Sequence, residues 1–298
     1  MKLAVLASPD SWYARDLQRA AGSKHQIVIL PFSEIQSQLI DGKVHIRSGG
    51  QDLAGFDAVL VRTMPPGSLE QVVFRMDALA RCEALGVTVI NPPRAIEAAV
   101  DKYLASAKLA AEGLATPRTI TCQTVDDAML AFEMLGRDVV IKPLFGSEGR
   151  GITRVNDPDM AFRAFKLLVQ LGAVLYLQEF IPHEGADIRL FVLGERVFGM
   201  TRRNSQDWRT NVSRGATAEG YDVSDEMAHL ARKAAGAVGA VVAGVDLLPA
   251  RSGERYVLEV NAVPGWHALA RTLKIDIAAL VIDFVAECVK RSRGSIPK

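Results

Sequence analysis

The first third of the chain alternates short apolar runs with amphipathic stretches, and this alternation restricts the possible folds most strongly. Four runs have the length and composition of buried strands: Leu3–Ala7, Gln26–Leu30, Ala58–Val61 and Val87–Ile90. Leu69–Leu85 is predicted as a helix, with Leu69, Val72, Val73, Met76, Leu79 and Ala80 on its apolar face and Arg75 elsewhere. Strands that alternate with helices predict a largely parallel sheet, covered on both faces. We expect this N-terminal domain to span residues 1–93 and to end at Pro92-Pro93.

The rest of the chain is predicted to contain two further units, residues 94–182 and 183–298. The first begins with a helix from about Arg94 to Glu112, followed by strands at Asp138–Leu144 and Val174–Ile181 with a helix at 159–171 between them. The second has longer strands at Asp187–Leu193, Arg196–Arg203, Ala243–Pro249 and Arg255–Val260, and helices at 225–238 and 275–291. Gly194-Glu195 is typical of a two-residue hairpin turn. The predicted class is α/β, with α+β character in the last two units.

The charge and the cysteine content of the chain bear on its binding partners and on its cellular compartment. The 298 residues have a formal net charge of +1, which provides no field for binding nucleic acid or an anionic membrane. The three cysteines are odd in number and far apart, as in a protein of a reducing compartment. No run approaches 18 apolar residues, and the N-terminal run is too short for a signal peptide. We therefore expect a cytoplasmic protein, and the sequence leaves a homo-oligomer open.

Two apolar strands near the C-terminus carry oxygen donors where apolar side chains are expected. Period-two alternation puts Glu259 and Asn261 on one face of their strand, and Asp246 interrupts the preceding strand. Buried carboxylates are unfavourable unless they are paired. A hairpin would bring these three oxygen donors together, and such a set suits Mg²⁺ or Mn²⁺. A structural ion pair near the sheet edge is the alternative.

Lys142 ends a buried strand and is followed by a glycine-rich turn, Gly146–Gly151. Glycines allow backbone N–H groups to approach phosphate oxygens closely. The segment matches neither the Walker loop nor the dinucleotide-binding glycine pattern. It predicts either a phosphate-binding flap or a flexible hairpin with an exposed lysine. Lys102 lies early in a predicted helix, where the macrodipole disfavours a cation; a phosphate ligand and an exposed lysine are the two interpretations.

Two further segments are candidates for contact with a ligand. In Gln178–Pro182 an apolar strand ends at a proline, so its backbone could face an adenine edge or could form a plain hinge. A later segment concentrates four arginines in thirteen positions, with asparagines among them: Arg202, Arg203, Asn204, Arg209, Asn211 and Arg214. Guanidinium groups at this density suit phosphoryl and carboxylate oxygens, and a solvated loop is the alternative.

The order of these features resembles the ATP-grasp superfamily, and more closely its RimK-type α-L-glutamate ligase family. The similarity extends over nearly the whole chain and is carried by Glu179–Ile181, Asp187–Arg189, Arg209–Gly215 and Glu259–Gly265. Arg62–Gly67 and Pro143–Gly149 are most similar to glutamate ligases of tetrahydromethanopterin cofactor biosynthesis. The resemblance implies an N-terminal pre-ATP-grasp domain followed by a two-lobed ATP-grasp unit.

The resemblance also implies roles for individual residues. Those assigned to ATP are Lys102, Lys142, Gly146, Ser147, Glu148, Gly149, Gly151, Gln178, Glu179, Phe180, Ile181, Asp187, Arg209, Thr210 and Asn211. Within this set, Glu179–Ile181 would border the adenine and Asp187 the ribose. Arg203 and Arg214 would act in catalysis together with Lys142. The metal ligands would be Asp246, Glu259 and Asn261, with two Mg²⁺ or Mn²⁺ ions in the site.

The expected reaction joins a carboxylate acceptor to an amine, L-glutamate by resemblance, through an acyl-phosphate and with release of ADP. The acceptor would be a cofactor precursor such as tetrahydromethanopterin. A ribosomal or carrier protein C-terminus is the alternative acceptor, and a non-catalytic nucleotide-binding module is the alternative function. The presence of Lys142 and all three oxygen donors counts against that module. Leu6–Asp10 lacks the glycines that a dinucleotide-dependent dehydrogenase would need.

Overall fold

The structure is a computed structural model, and it describes residues 1–146, 149–210 and 215–294. The N-terminal strands are β1 (Lys2–Leu6), β2 (Gln26–Leu30), β3 (Gln36–Ile40), β4 (Lys43–Ser48), β5 (Gln51–Asp52), β6 (Ala58–Val61) and β7 (Thr88–Ile90). Four of them form the predicted parallel sheet, in the order β2-β1-β6-β7. The other three, β3, β4 and β5, form a small antiparallel sheet that the sequence analysis missed.

The helices of this part of the chain are α1 (Trp12–Ala21), α2 (Leu69–Ala84), α3 (Pro93–Val100) and α4 (Lys102–Ala111). Two predictions about them were wrong. The single helix expected from Arg94 to Glu112 is interrupted at Asp101, whose extended backbone and side chain cap α4. The buried face of α2 is also rotated from the predicted one, because Leu69 is 80% exposed while Arg75 is only 6% exposed.

The central part of the chain forms an antiparallel sheet with two helices on one side. Its elements are β8 (Thr119–Cys122), α5 (Val125–Met134), β9 (Val139–Lys142), β10 (Thr153–Val155), α6 (Pro158–Gln170) and β11 (Leu175–Glu179). The strand order is β10-β9-β11-β8. Apolar side chains of the sheet and of both helices form a separate core around Phe132 and Phe165. Lys142 is therefore held at the end of a rigid strand next to β11.

The last part contains β12 (Ala186–Leu193), β13 (Arg196–Arg203), β14 (Thr217–Tyr221), α7 (Asp225–Ala237), β15 (Val242–Pro249), β16 (Arg255–Asn261), α8 (His267–Leu273) and α9 (Ile277–Gly294). The five strands form one antiparallel sheet in the order β14-β13-β12-β15-β16. The predicted turn at Gly194-Glu195 is confirmed, since Leu193 pairs with Arg196. No helix in the described part of the chain combines the length and apolar character needed to cross a bilayer.

Asn91 joins the N-terminal sheet to the last sheet. Its side-chain amide donates to the carbonyls of Val242 and Ala262 at 2.7 and 2.6 Å and accepts from the N–H groups of Val241 and Val242 at 2.8 and 2.9 Å. The residue is 2% exposed, and one apolar core continues from β1 and β6 into β12, β15 and β16. The N-terminal sheet is thus joined, through Asn91 and a core to which α3 and α4 contribute, to the strands that carry the oxygen donors. The domain boundaries at residues 93 and 182 stay a prediction.

Candidate active site

Strand register gathers five charged side chains on one face of the five-stranded sheet. Asp187 and Arg189 alternate along β12, Arg202 of β13 lies opposite Asp187, and Asp246 of β15 lies opposite Arg189. Glu259 of β16 lies opposite Asp246, next to a bulge at Asp246/Leu247. The alternation that buries Ile188 and Leu190 in the core thus forces the intervening residues onto a shared polar face.

Asp246 is a buried carboxylate on this face that is bound by two arginines. Arg189 binds it at two points, Nε to Oδ1 and Nη2 to Oδ2, both at 2.6 Å. Arg202 Nη2 lies 3.0 Å from Oδ2 of the same carboxylate. Burial disfavours the ionised form, but the two guanidinium groups more than offset it and hold the pKa of Asp246 well below its usual range. Asp246 is therefore ionised and already neutralised by arginine.

Glu259 differs from its neighbour, because 41% of its side-chain surface is accessible in the cleft. Its nearest cationic group is Arg189, at 3.7 Å, which is beyond hydrogen-bonding distance. The low-dielectric surroundings and then the charge of Asp246 raise the pKa of Glu259, while Arg189, Lys142 and Lys102 oppose that rise. The carboxylates of Asp246 and Glu259 repel each other, and a divalent cation bound by both would relieve this repulsion.

Asn261 supplies the third oxygen of the predicted metal set. It lies two residues after Glu259 on β16, opposite Gly244, and its Oδ1 accepts the N–H of Val263 at 2.8 Å. In the part of the chain that the structure describes, no three His, Cys, Asp or Glu side chains converge to hold an ion, so an amide has to complete the set. Two carboxylates and an amide are oxygen-only donors, and their chemistry fits Mg²⁺ or Mn²⁺.

Lys142 faces this anionic floor from the central sheet. Its ammonium donates to Gln178 Oε1 at 2.5 Å, and Gln178 Nε2 donates to Thr119 Oγ1 at 3.0 Å and to the hydroxyl of Tyr176 at 3.3 Å. Burial lowers the pKa of Lys142 to about 8, although the charge of Glu259 opposes the shift. Gln178 is 2% exposed, so it orients the lysine. A half-buried ammonium of this kind gains stability from an anion such as phosphate.

Lys102, the first residue of α4, connects the helix to the glycine-rich turn. Its N–H donates to the carbonyl of Leu144 at 3.2 Å, and its ammonium donates to that of Gly146 at 2.9 Å. Burial lowers the pKa of Lys102, and Glu259 raises it, so both lysines face the same carboxylate. Gly146, Gly149 and Gly151 all have positive φ angles, which glycine adopts readily. Ser147 and Glu148, which were assigned to the flap, lie outside the described residues.

The segment predicted to border adenine has its side chains engaged elsewhere. Glu179 Oε1 and Oε2 accept from the backbone N–H and Nε of Arg118 at 2.8 and 2.6 Å. The guanidinium carbon of Arg154 lies 3.4 Å from the centre of the Phe180 ring. Ile181 is buried, and its N–H makes no hydrogen bond to another described residue. Within this segment, only backbone groups are thus available to form hydrogen bonds to the edge of an adenine base.

Asp187, the predicted ribose ligand, is enclosed by the arginine-rich segment. Arg202 binds it at two points, 2.7 and 2.5 Å, and Thr210 Oγ1 donates to Oδ2 at 2.5 Å. Burial raises the pKa of Asp187 in spite of Arg202. Arg209 pairs with Asp207 and donates to the carbonyl of Ile152 at 3.3 Å, which ties this segment to the flap. Asn211 and Arg214 lie outside the described residues.

Arg203 is not brought to the polar face. It follows Arg202 on β13, so it lies on the opposite face, is exposed, and donates to the carbonyl of Glu184 at 3.3 Å. Its predicted catalytic role gains no support from this position. Arg189 and Arg202 are the guanidinium groups at the site. Arg202 belongs to the arginine-rich segment that the sequence predicted to bind phosphoryl or carboxylate oxygens, whereas here it binds the protein carboxylates Asp187 and Asp246. Period-two alternation also predicts that Arg189 shares a strand face with Asp187, and the strand pairing confirms it.

Comparisons with known proteins agree with this geometry. Residues 99–285 match the model of the RimK-like ATP-grasp domain, and residues 1–96 match that of the RimK PreATP-grasp domain. A tetrahydromethanopterin:alpha-L-glutamate ligase of Methanosarcina acetivorans is 34% identical, over 94% of this chain and 97% of the relative. A probable alpha-L-glutamate ligase of Xanthomonas euvesicatoria is 31% identical, over 99% of this chain and 100% of the relative.

Among solved structures, the ATP-grasp ligase PsnB complexed with minimal precursor superposes with a TM-score of 0.77 at 22% identity, covering 96% of this chain and 98% of that one. The parallel N-terminal sheet followed by the four-stranded and five-stranded antiparallel sheets has the architecture of an ATP-grasp ligase, as the sequence resemblance implied. The chain belongs to the RimK-like ATP-grasp family, with the RimK pre-ATP-grasp unit at its N-terminus.

Proposed function

We propose that this protein is an ATP-dependent ligase that joins L-glutamate to a carboxylate acceptor through an acyl-phosphate. One observation carries the proposal: the carboxylates Asp246 and Glu259, paired across β15 and β16, lie within electrostatic reach of the half-buried cations Lys142 and Lys102. A metal–triphosphate complex contains both signs of charge and complements such a cleft. The amino acid is supported by the relatives, which carry the name alpha-L-glutamate ligase.

The acidic and the basic side chains of the site have different proposed roles. Asp246, Glu259 and Asn261 hold divalent cations, Mg²⁺ or Mn²⁺, and we propose two ions as in the sequence-based expectation. Bound there, a divalent cation neutralises phosphate oxygens and withdraws electron density from the transferred phosphorus. Lys142 and Lys102 bind phosphate oxygens from the other side, and the flap glycines cover them. Arg189 and Arg202 orient the Asp246 carboxylate through their ion pairs.

The reaction takes place in two displacements. A carboxylate oxygen of the acceptor attacks the γ-phosphorus of ATP, and the bond to ADP breaks. The amine nitrogen of L-glutamate then attacks the acyl carbon, inorganic phosphate leaves, and the nitrogen loses a proton as the amide forms. Lys142 and Lys102 stabilise the charge that develops on the transferred phosphoryl group, and enclosure by the flap keeps water from the acyl-phosphate.

The acceptor we propose is a small cofactor precursor of the tetrahydromethanopterin type, supported by the name of the Methanosarcina relative. The protein alternatives from the sequence analysis, a ribosomal or carrier protein C-terminus, define the competing substrates. We also propose a cytoplasmic location, supported by three cysteines that form no disulfide among the described residues. Association into a homo-oligomer is compatible with this proposal.

The test is a ligation assay with ATP, Mg²⁺, L-glutamate and three acceptors: tetrahydromethanopterin, a ribosomal-protein tail peptide and a carrier-protein tail peptide. We expect one acceptor to gain a glutamyl residue by mass spectrometry, with one ADP and one phosphate released per bond. Release of AMP would exclude the acyl-phosphate route. Nucleotide binding without any product from this panel would favour the non-catalytic module.

A further inference from the structure

Two buried arginines on the N-terminal unit have no carboxylate partner. Arg62 and Arg75 are each 6% exposed, and neither forms an ion pair with any residue that the structure describes. Each donates one hydrogen bond to a proline carbonyl: Arg62 Nη2 to Pro264 at 2.7 Å and Arg75 Nη1 to Pro65 at 2.9 Å. Arg202, which is equally buried, has two carboxylates. Buried charges are normally paired. Of the two arginines, Arg62 is the one that also leaves a buried nitrogen, Nε, without a hydrogen-bond partner among the described residues, so it is the candidate to bind an anion.

The surroundings of Arg62 compensate its charge only in part. Its guanidinium carbon lies 4.3 Å from the centre of the Trp266 ring and 5.0 Å from that of Tyr13, both within cation–π range. Burial still lowers the pKa of Arg62 to about 10. Its Nε is sealed from solvent without a partner, and Nη2 is used by Pro264. Nη1 is the nitrogen that neither donates a hydrogen bond nor is sealed, so it can receive an anion.

Arg62 lies close to the proposed active site. It directly follows β6, at the carboxyl edge of the parallel sheet, where ligands of open α/β sheets bind. Through Pro264 it contacts the loop that begins at Asn261, the last residue of β16 and the predicted metal ligand. The unpaired charge therefore lies at the border between the N-terminal unit and the end of the catalytic strand.

We propose that Arg62 binds a carboxylate of the amino-acid substrate, an inference that rests on the proposed ligase function. The acceptor carboxylate becomes an acyl-phosphate and then an amide, so it does not keep its charge. An amino dicarboxylate such as L-glutamate reacts through its amine and keeps both carboxylates throughout. A permanently charged, preorganised guanidinium suits a group whose charge persists, and its planar donors match a carboxylate.

The kinetic test uses Arg62→Met and Arg62→Lys, with Arg75→Met as the matched control. Arg75 has the same burial and the same kind of carbonyl bond, but it lies on α2 and has no contact with the Asn261 loop. Loss of a charge-assisted hydrogen bond raises KM by about 10- to 100-fold. We expect this rise in the KM for L-glutamate in Arg62→Met, a smaller one in Arg62→Lys, and an unchanged KM for ATP in both.

A rise in the KM for the acceptor with an unchanged KM for L-glutamate would overturn the proposal and assign the carboxylate to the acceptor. Equal effects from Arg75→Met would also overturn it, because the loss would then come from loop disorder. If Arg62→Met does not fold, Arg62→Lys provides the test, because it keeps the positive charge. A raised KM for L-glutamate in Arg62→Lys supports the proposal, and an unchanged one overturns it.

Calorimetry separates this inference from the ligase proposal. L-glutamate, L-glutamine and the α-amide of glutamate are titrated into the protein with Mg²⁺ and a non-hydrolysable ATP analogue. Wild type should bind one amide about 10-fold or more weakly than L-glutamate, and Arg62→Met should lose that discrimination. Unaltered discrimination in Arg62→Met refutes the role of Arg62 alone. Failure of wild type to bind L-glutamate at all refutes both proposals.

Discussion

Arg189 and Asp246 form a two-point ion pair across β12 and β15, with both hydrogen bonds at 2.6 Å. Their side chains are 13% and 5% exposed, so the pair is nearly sealed from water. The carboxylate expected to bind a cation therefore has a protein counter-ion before any nucleotide arrives. A metal ion bound by Asp246 would have to weaken or share this pair, which makes Asp246 a structural residue as well as a proposed metal ligand.

Asp246→Asn should destabilise the fold. Removing the carboxylate leaves the buried Arg189 without its two-point partner and Arg202 with Asp187 alone, which costs about 3–5 kcal/mol. Urea unfolding of the metal-free protein measures this loss. Glu184→Gln is the control, because it breaks an exposed pair with Arg251 and should cost less than about 1 kcal/mol. Equal stabilities for the two variants would contradict the ion-pair account.

Glu259→Gln should show the opposite pattern, with activity lost and stability kept. The Glu259 carboxylate accepts no hydrogen bond from a described residue and is 41% accessible, so the amide should change the unfolding free energy by less than about 1 kcal/mol. Rate loss should be at least about 100-fold, because a metal ligand is removed. ADP release during a Mg²⁺ titration checks this. Full activity with Mg²⁺ would show that Glu259 is not a metal ligand.

Lys142→Met should stabilise the nucleotide-free protein at pH 7 and abolish ligation. Lowering the lysine pKa from 10.5 to about 8 corresponds to a cost of about 3 kcal/mol at pH 7, partly balanced by the bond to Gln178. Between pH 8 and pH 10.5 the unfolded chain binds more protons than the folded one, so wild-type stability rises with pH. The advantage of the variant should shrink over that window. Denaturant unfolding at several pH values measures it, and a constant difference would be inconsistent with a depressed pKa.

Gly265→Ala should disrupt the loop after β16. A Cβ at this position would overlap the hydroxyl of Tyr13 and lie 3.2 Å from its Cζ. We expect a loss of about 1–3 kcal/mol, the usual cost of overpacking. Removing the hydroxyl should recover most of it, so Gly265→Ala with Tyr13→Phe is the diagnostic double variant. Thermal unfolding of the four proteins gives the coupling; additive losses would exclude the contact as the cause.

The polar face of the last sheet was predictable in part. Period-two alternation predicted that Glu259 and Asn261 share a face, and the pairing of Asp246 with Glu259 is observed. The ion pair between Asp246 and Arg189 was not predictable, because 57 residues separate them and the register of distant strands is not encoded locally. The burial of Arg75 was missed for a related reason: what lies against a helix face depends on the tertiary neighbours.

The small sheet of β3, β4 and β5 shows a different limit. Polar residues interrupt its two longer strands, β3 and β4, so they lack the apolar runs used to detect the parallel sheet. A local signal did exist at Asp41-Gly42, where both φ angles are positive and the two strands turn. The break at Asp101 also had a signal, because aspartate is a favoured N-cap within an otherwise continuous helical pattern.

Asn91 has a consequence for recombination between relatives. The two family models meet between residues 96 and 99, which suggests a convenient crossover point. The four hydrogen bonds of Asn91 cross that point and end on Val241, Val242 and Ala262, the last of which follows Asn261 directly. A chimera that takes its first 96 residues from a relative without an amide here leaves those backbone groups unsatisfied. The N-terminal unit therefore has to be exchanged together with the ends of the strands that carry the proposed metal ligands.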